Sequence, residues 1–321
     1  MKPSVVPGHS YPAKLETERG MKQEFLHTAS SLWTTVAAQI SRHTGQAFAP
    51  ESLTPIGGGC INQTFCIRDH ERQYFVKLNK TGNLAMFEAE AAGLGEILDS
   101  ASLRVPQPLC CGSHHDDAWL VLEFIDLQNR GNAAALGIGL ANMHRHTAET
   151  FGWIRDNTIG STPQRNTTAS DWISFWRQHR LGYQLNLARK NGHTGSLQSL
   201  GERLLSEFQH FFTDTLPLPS LLHGDLWGGN YAFDQDGQPV IFDPAVYYGD
   251  READLAMTEL FGGFPPDFQA AYRDAWPVET GYATRKQLYN LYHILNHLNL
   301  FGPQYLSQAE TTMKKLLAEL Y

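Results

Sequence analysis

Residues 221–230 read Leu-Leu-His-Gly-Asp-Leu-Trp-Gly-Gly-Asn, so Asp225 stands five residues before Asn230. A short apolar run, Val-Ile-Phe (240–242), follows and ends at a second carboxylate, Asp243. Two carboxylates and an amide at these spacings can supply a proton acceptor and oxygen ligands for a divalent cation. A Gly-Asp turn alone is as often a plain turn or a helix cap, but the three residues together favour a reaction centre.

The order Asp-x-x-x-x-Asn, followed by an aspartate at the end of a strand, is the one protein kinases use for phosphoryl transfer. We therefore predict that Asp225 is the catalytic base near the attacking hydroxyl. Asn230 and Asp243 are predicted to bind Mg²⁺ on the phosphates of ATP. Two differences from protein kinases are visible, because Gly224 replaces the arginine of their catalytic loop and Pro244 follows the metal-binding aspartate.

A glycine triplet and a lysine upstream fit the nucleotide end of such a site. Gly57, Gly58 and Gly59 join two strand-like segments, and their backbone N–H groups can come close to phosphates. Lys77 follows on the next strand, where its charge would neutralise phosphate oxygens. A glycine triplet is also common in hairpin turns, and a strand lysine is also common at solvated sheet edges. The order of the two features along the chain favours nucleotide binding.

A kinase lysine needs a carboxylate partner on the helix that follows it. Glu88 and Glu90 both lie there, about 200° apart around the helix axis, so only one of them can face inward. Glu90 shares a face with Leu94, four residues later, and we predict that Glu90 is the partner. The connector between the lobes is predicted to offer main-chain groups to adenine at Glu123, Phe124 and Ile125.

Hydrophobic patterning divides the chain near residue 125. Short alternating strands and one key helix precede this point, and mostly helical segments follow it. The pattern predicts an α+β, two-lobed, protein-kinase-like fold, with a nucleotide-binding antiparallel-sheet lobe over 22–124 and a mostly helical catalytic and substrate lobe over 125–321. Residues 1–21 are polar and unpatterned, and we interpret them as disordered or tag-like. Helices are predicted over 23–43, 84–98, 132–146, 172–191, 196–212 and 285–299.

Composition narrows the function classes. The 321 residues are 42% hydrophobic and 18% charged, and the formal charge of −8 is spread along the chain without a Lys/Arg tract. This argues against a nucleic-acid partner. No run of about 18 apolar residues predicts a membrane span, and the N-terminus does not read as a signal peptide. Four cysteines do not make a disulfide scaffold, so we expect a reducing, cytoplasmic setting and a monomer or weak homodimer.

Longer segments resemble the fructosamine (ketosamine) kinase family, within the wider aminoglycoside- and choline-kinase-like superfamily. The resembling segments are GGGCIN (57–62), FVKLN (75–79), MFEAEAAGL (86–94), LVLE (120–123), DNTIGSTPQ (156–164), HGDLWGGN (223–230) and DPAVYYGDREADLAM (243–257). The last segment is the most specific, because the superfamily at large shares only the Asp, Asn, Asp skeleton. Two positions depart from the family pattern: Gly228 stands where serine is usual and Asp250 where histidine is usual.

The resemblance implies transfer of phosphate from ATP to a sugar hydroxyl, the 3-OH in the family, of a ketosamine. Such a reaction serves protein deglycation, and the acceptor could be a free or a protein-bound adduct. Two alternatives stay open: a kinase for another small alcohol such as an aminoglycoside or choline, and a nucleotide-binding scaffold without catalysis. Asp254 and His223 are expected to support the catalytic loop through hydrogen bonds and not as metal ligands.

Three further features carry weaker signals. Cys60, beside the glycine triplet, is a candidate redox-sensitive thiol, because lysine charge near a mobile loop favours the thiolate. An inert residue that fills a turn is the alternative. Trp227 is either a wall for a sugar face or a core aromatic. His293 and His297 lie one helical turn apart, and we interpret them as helix-packing residues, since no glutamate lies between them for zinc-protease chemistry.

Overall fold

The structure is a computed structural model, and it describes residues 31–57, 61–212 and 216–320. Gly58, Gly59 and Cys60 lie outside these ranges, so the phosphate-covering loop and the redox thiol expected there stay predictions. The segment 1–21 and the first part of the helix predicted over 23–43 lie outside them as well.

The first part of the chain forms a five-stranded antiparallel sheet between two helices. The strands are β1 (Ser52–Ile56), β2 (Gln63–Arg68), β3 (Gln73–Lys80), β4 (Pro108–His114) and β5 (Asp117–Glu123), in the order β1-β2-β3-β5-β4. Helix α1 (31–44) packs on one face, where Val76 is buried. Because successive strand residues point to opposite faces, Lys77 points to the other face, which α2 (Leu84–Asp99) covers.

The rest of the chain is mostly helical. Its helices are α3 (Ala133–His144), α4 (Trp172–Trp176), α5 (Gly182–Lys190), α6 (Ser196–Glu207), α7 (Glu252–Thr258), α8 (Pro266–Ala275), α9 (Tyr282–Phe301) and α10 (Leu306–Ala318). A π-helical turn, Arg177–Leu181, joins α4 to α5, so the helix predicted over 172–191 is nearly continuous. Among the described helices, none combines the length and the apolarity that crossing a bilayer requires.

Three small antiparallel strand pairs complete the helical part. They are β6 (Asn157–Ile159) with β7 (Thr162–Gln164), β8 (Ser220–Leu222) with β11 (Tyr247–Gly249), and β9 (Tyr231–Phe233) with β10 (Pro239–Ile241). Three-residue strands are too short to show a hydrophobic period, so patterning alone does not reveal these pairs. The α+β arrangement, with a sheet lobe and a helical lobe, is confirmed; the boundary at 124 and 125 stays a prediction.

The catalytic segment is shaped by two close backbone approaches. β8 leads into it, and after the β9–β10 hairpin the chain returns beside Asn230, whose carbonyl accepts a hydrogen bond from Phe242 N at 3.0 Å. Gly224 has φ of +81°, and a Cβ there would lie 2.1 Å from the carbonyl oxygen of Ala245. Glycine is therefore required where protein kinases carry arginine. Asp243 also has a positive φ, 58°, a conformation that aspartate tolerates better than most residues.

Candidate active site

A cavity of about 820 Å³ lies between the sheet and the helical part of the chain. It is large enough for a nucleotide together with a small acceptor. From the first part of the chain it is lined by Ile56, Gly57, Phe75, Lys77, Glu90 and Leu122. From the helical part, Asp225, Asn230 and Asp243 line its centre. The predicted residues of the phosphoryl-transfer centre thus meet in one space.

Lys77 is buried at the centre of a three-residue charge network. Its Nζ lies 2.5 Å from Glu90 Oε1 and 2.6 Å from Asp243 Oδ1. Burial acts to lower the pKa of Lys77, but the carboxylates of Glu90 and Asp243 outweigh burial and raise that pKa above its ordinary value. The lysine is therefore a permanent cation. Glu88, the other candidate partner, is exposed.

Asn230 is hydrogen-bonded to Asp225, the predicted base. Its Nδ2 donates to the carbonyl oxygen of Asp225 at 2.8 Å and to Asp225 Oδ2 at 3.3 Å. Burial, together with the negative charge of Asp243, raises the pKa of Asp225 well above its usual range, while the Asn230 hydrogen bond acts in the opposite direction. Asp225 is therefore a stronger proton acceptor than a solvated aspartate, which suits a general base.

Buried hydrogen bonds fix the catalytic loop from behind. Asp254 accepts from the main-chain N–H of His223 at 2.7 Å and from that of Gly224 at 2.8 Å. His223 Nδ1 accepts from the main-chain N–H of Asp225 at 3.3 Å, so its Nε2 is the protonated atom that donates to Phe242 O at 3.0 Å. Burial lowers the pKa of His223, which keeps this neutral tautomer. Neither side chain is among those that line the cavity.

The connector between the lobes reaches the cavity only in part. Glu123 and Ile125 line it, whereas Phe124 is not among the lining residues. The main-chain N–H of Glu123 already donates to Gln107 O at 2.8 Å, and its carboxylate pairs with Arg104 at 2.8 Å. Because this N–H is already used, the predicted contact with adenine is limited to the main-chain groups of the connector that follow it.

The other end of the cavity is aromatic and neutral, and the sequence did not predict it. It is lined by Phe261, His293, Asn296, His297, Phe301 and Tyr305. The ring of His297 lies 4.5 to 5.3 Å, between centroids, from the rings of Phe261, Phe301 and Tyr305. The interpretation of the two histidines as packing residues was incomplete, since both face the cavity. Their spacing of four residues, continued at Phe301, is the signal that could have indicated a common face of α9.

Both histidines of this end are uncharged at neutral pH. Burial lowers the pKa of His293 to about 3 and lowers that of His297 as well. His297 Nδ1 donates to the carbonyl oxygen of His293 at 2.8 Å, which leaves Nε2 as a hydrogen-bond acceptor.

The β6–β7 hairpin forms the side wall of this end of the cavity. The side chain of Asn157 donates a hydrogen bond to Val246 O at 2.8 Å, and that of Gln164 donates to Ala245 O at 3.0 Å.

Asn230 and Asp243 suit Mg²⁺ by their chemistry. Mg²⁺ prefers oxygen ligands and is usually held by one or two protein groups together with substrate phosphates. The Asn230 nitrogen faces Asp225, so its amide oxygen remains for a metal, and the side chain of Asp243 is 49% exposed. In the parts of the chain that the structure describes, no group of three or more His, Cys, Asp or Glu is arranged to hold a metal ion.

Neither of the two departures from the family pattern lines the cavity. At Gly228, no atom lies within 4 Å of a Cβ built on the backbone, so a serine would fit. Asp250 is buried, accepts hydrogen bonds from Tyr289 Oη and from the main-chain N–H of Glu252, and is not among the cavity-lining residues. Burial raises the pKa of Asp250 to about 7.

Comparisons with known proteins agree with this geometry. The family model described as "Fructosamine kinase" matches residues 32–319. A protein of Synechocystis sp. named "Probable ketoamine kinase" is 48% identical over 89% of this chain and 97% of its own length. The "Protein-ribulosamine 3-kinase, chloroplastic" of Arabidopsis thaliana is 43% identical over 86% of each chain.

A solved structure shows the same fold. The crystal structure of a "putative fructosamine-3-kinase" from Thermobifida fusca is 32% identical, has a TM-score of 0.78, and covers 88% of this chain and 98% of its own. The resemblance predicted from the sequence is thereby confirmed across the sheet and the helical lobe. The chain belongs to the fructosamine kinase family.

Proposed function

We propose that the chain transfers the γ-phosphoryl group of ATP to the 3-hydroxyl of a ketosamine, an amine-linked ketose. The observation that carries the proposal is the meeting of Lys77, Asp225, Asn230 and Asp243 in one cavity whose other end is neutral and aromatic. The relatives are named for action on ketoamines and on protein-linked ribulosamines, which supports the same acceptor class.

The nucleotide end of the cavity binds and orients phosphates. Glu90 holds Lys77 in place, and Lys77 neutralises phosphate charge. Asn230 and Asp243 would hold Mg²⁺, which when bound offsets the charge of the phosphate oxygens. The contact between Lys77 and Asp243 has to loosen when the nucleotide enters, since both groups acquire new partners.

Asp225 accepts the proton of the attacking hydroxyl. The acceptor oxygen forms a bond to the γ-phosphorus, and the bond from that phosphorus to the oxygen bridging the β- and γ-phosphates breaks. The hydroxyl proton passes to the Asp225 carboxylate. ADP leaves with the electron pair of the broken bond. Cations that neutralise Asp243 in the complex remove one cause of the raised pKa of Asp225 and so favour the ionised form of the base.

The charge distribution favours a ketosamine over an aminoglycoside. Among the described residues that line the cavity, the carboxylates are Glu90, Glu123, Asp225 and Asp243. None of them lies on α9, which provides much of the neutral, aromatic end of the cavity, where we propose that the acceptor binds (the acceptor end). A polycationic aminoglycoside would need several carboxylates to replace its hydration, whereas a ketosamine carries one amine, which aromatic faces can accommodate.

Phosphate transfer to defined acceptors tests the proposal. The protein is incubated with ATP, Mg²⁺ and fructoselysine, ribuloselysine, hygromycin B or choline, and phosphorus NMR locates the new ester. We expect a 3-phosphate on the two ketosamines and none on hygromycin B or choline. Transfer to hygromycin B or choline alone would assign the chain to another small-alcohol kinase. ATP binding without transfer to any acceptor would support a scaffold instead.

A further inference from the structure

Helix α2 contacts the helical part of the chain as well as the sheet. Glu96, on its last turns, accepts a hydrogen bond from Tyr248 Oη at 2.7 Å through Oε1. Its other oxygen, Oε2, lies 3.4 Å from the indole nitrogen of Trp153. Burial is the main cause that raises the pKa of Tyr248, and the hydrogen bond to Glu96 raises it further. The Tyr248 hydroxyl therefore stays protonated, and a donor, throughout the neutral range.

The helix backbone also comes unusually close to the chain that follows Asp243. A Cβ built on Gly93 would lie 3.1 Å from Val246 Cγ2 and 3.8 Å from Pro244 Cγ. Only a residue without a side chain allows this approach without displacing Val246. Gly93 thus sets the distance between α2 and the segment that begins at the metal-binding aspartate.

The tyrosine contact ends on a strand that pairs with the one leading into the catalytic loop. Tyr248 lies in β11 and pairs with Leu221 of β8, which runs directly into the catalytic loop. Glu90, on the same helix as Glu96, holds Lys77 of the sheet. Helix α2 therefore packs along the sheet and also contacts β11 and residues 244–246 of the helical part.

We propose that Glu96, Tyr248 and Gly93 are positioning residues, which hold α2 against β11 and the segment 244–246 and so keep Lys77 aligned with Asp243 before nucleotide binds. The inference concerns the nucleotide end of the site and rests on the proposed function for its kinetic readout. None of the three residues lines the cavity, so each acts through α2 and not on a ligand.

The test compares two tyrosines that each donate to a glutamate. Tyr248→Phe removes the hydroxyl on Glu96, and Tyr282→Phe removes a hydroxyl that donates to Glu259 at 2.8 Å, away from the cavity. We expect Tyr248→Phe to raise the KM for ATP about five- to tenfold, the effect of one typical hydrogen bond, with the KM for fructoselysine unchanged. Amide hydrogen exchange in α2 should become faster. Tyr282→Phe should change neither quantity.

Two substitutions of Glu96 separate positioning from general stability. Glu96→Gln keeps an acceptor for Tyr248 and should retain most of the ATP affinity, whereas Glu96→Ala should behave like Tyr248→Phe. The double variant Glu96→Ala/Tyr248→Phe should be no worse than either single variant, because both remove one interaction. The proposal would be overturned if these variants lost thermal stability but kept the KM for ATP and the rate of amide hydrogen exchange in α2 of the unaltered chain.

The outcome is distinguishable from a failure of the proposed function. Titration with the fluorescent analogue TNP-ATP and hydrogen exchange in α2 need no acceptor. If no ketosamine is phosphorylated but Tyr248→Phe still weakens TNP-ATP binding and loosens α2, the positioning role stands and the acceptor assignment falls. If ketosamines are phosphorylated and both readouts match those of Tyr282→Phe, the positioning role falls alone.

Discussion

The two ends of the cavity differ in the charge of the side chains that line them. At the nucleotide end, the buried Lys77 pairs with the largely buried Glu90 and with the half-exposed Asp243, and every one of these charges has a partner within 2.6 Å. At the acceptor end, α9 presents neutral histidines, an amide and aromatic rings. Phosphates require opposing charge, whereas a sugar adduct can be held by hydrogen bonds and ring faces.

This difference predicts different failures. A buried charge that loses its partner is costly, so changes at the nucleotide end should disable catalysis or metal use. Neutral contacts at the acceptor end are individually weaker, so changes there should raise the KM of the acceptor and leave ATP binding intact. Kinetic measurements on variants of each end can confirm or break this division.

The largest effect is expected for Asp225→Asn. The amide keeps the shape of the side chain but cannot accept the hydroxyl proton, so kcat should fall by roughly 10²- to 10⁴-fold. The KM for ATP should stay within about twofold, because the base acts mainly in the transition state. Asp236→Asn, on the exposed β9–β10 turn, is the matched control and should be silent. Turnover near that of the unaltered chain would remove Asp225 from its role.

Asn230→Ala and Asp243→Ala should share one effect and differ in another. Each removes a proposed oxygen ligand, so the Mg²⁺ concentration for half-maximal rate should rise by roughly tenfold or more. Asn230 lowers the pKa of Asp225 through its hydrogen bond, whereas Asp243 raises it through its charge. The acid limb of kcat/KM should therefore move to higher pH in Asn230→Ala and to lower pH in Asp243→Ala.

Rate profiles against pH at saturating Mg²⁺ measure this divergence. A shift of the acid limb in the same direction in both variants would show that Asp225 is not the group that titrates. An unchanged Mg²⁺ requirement in either variant would remove that residue from the metal site.

The same division decides how much the sequence could predict. The residues of the nucleotide end lie close together in the sequence, since Asp225, Asn230 and Asp243 fall within 19 consecutive positions. Helix geometry was enough to choose Glu90 as the partner of Lys77. The acceptor end is assembled from the β6–β7 hairpin, α9 and the residues that follow it. Histidine and phenylalanine on a helix usually form core, so nothing local distinguishes His297 or Phe301 from packing residues. Only the tertiary structure shows that they face a cavity.

Acid should destabilise the acceptor end through His293. Its folded pKa of about 3 lies below the ordinary histidine value, so the unfolded chain takes up a proton first as the pH falls below about 6.5. The free energy of unfolding is then highest above pH 6.5 and declines toward pH 3, by about 2 kcal/mol at pH 5 for this one side chain.

Urea unfolding at pH 7 and pH 5 measures this contribution. His293→Gln cannot titrate and should lose about 2 kcal/mol less than the unaltered chain between the two pH values. The exposed His70 serves as the control, since His70→Gln should leave the difference unchanged. An identical pH dependence in His293→Gln would show that His293 is not held neutral.

The smallest effect is expected at the rim of the acceptor end, for Phe301→Ala. Phe301 is 53% exposed although it lines the cavity, and its ring lies 5.3 Å from that of His297. A ring face that contacts the amine of a ketosamine contributes about 1 kcal/mol, so the acceptor KM should rise about fivefold with the KM for ATP unchanged. Phe301→Leu keeps apolar area without the ring, and an acceptor KM as high as that of Phe301→Ala would assign the contact to the aromatic face.

The control for this prediction is Ile154→Ala, at an 84% exposed site that is not among the residues lining the cavity. A rise in the KM for ATP instead would break the separation of the two ends.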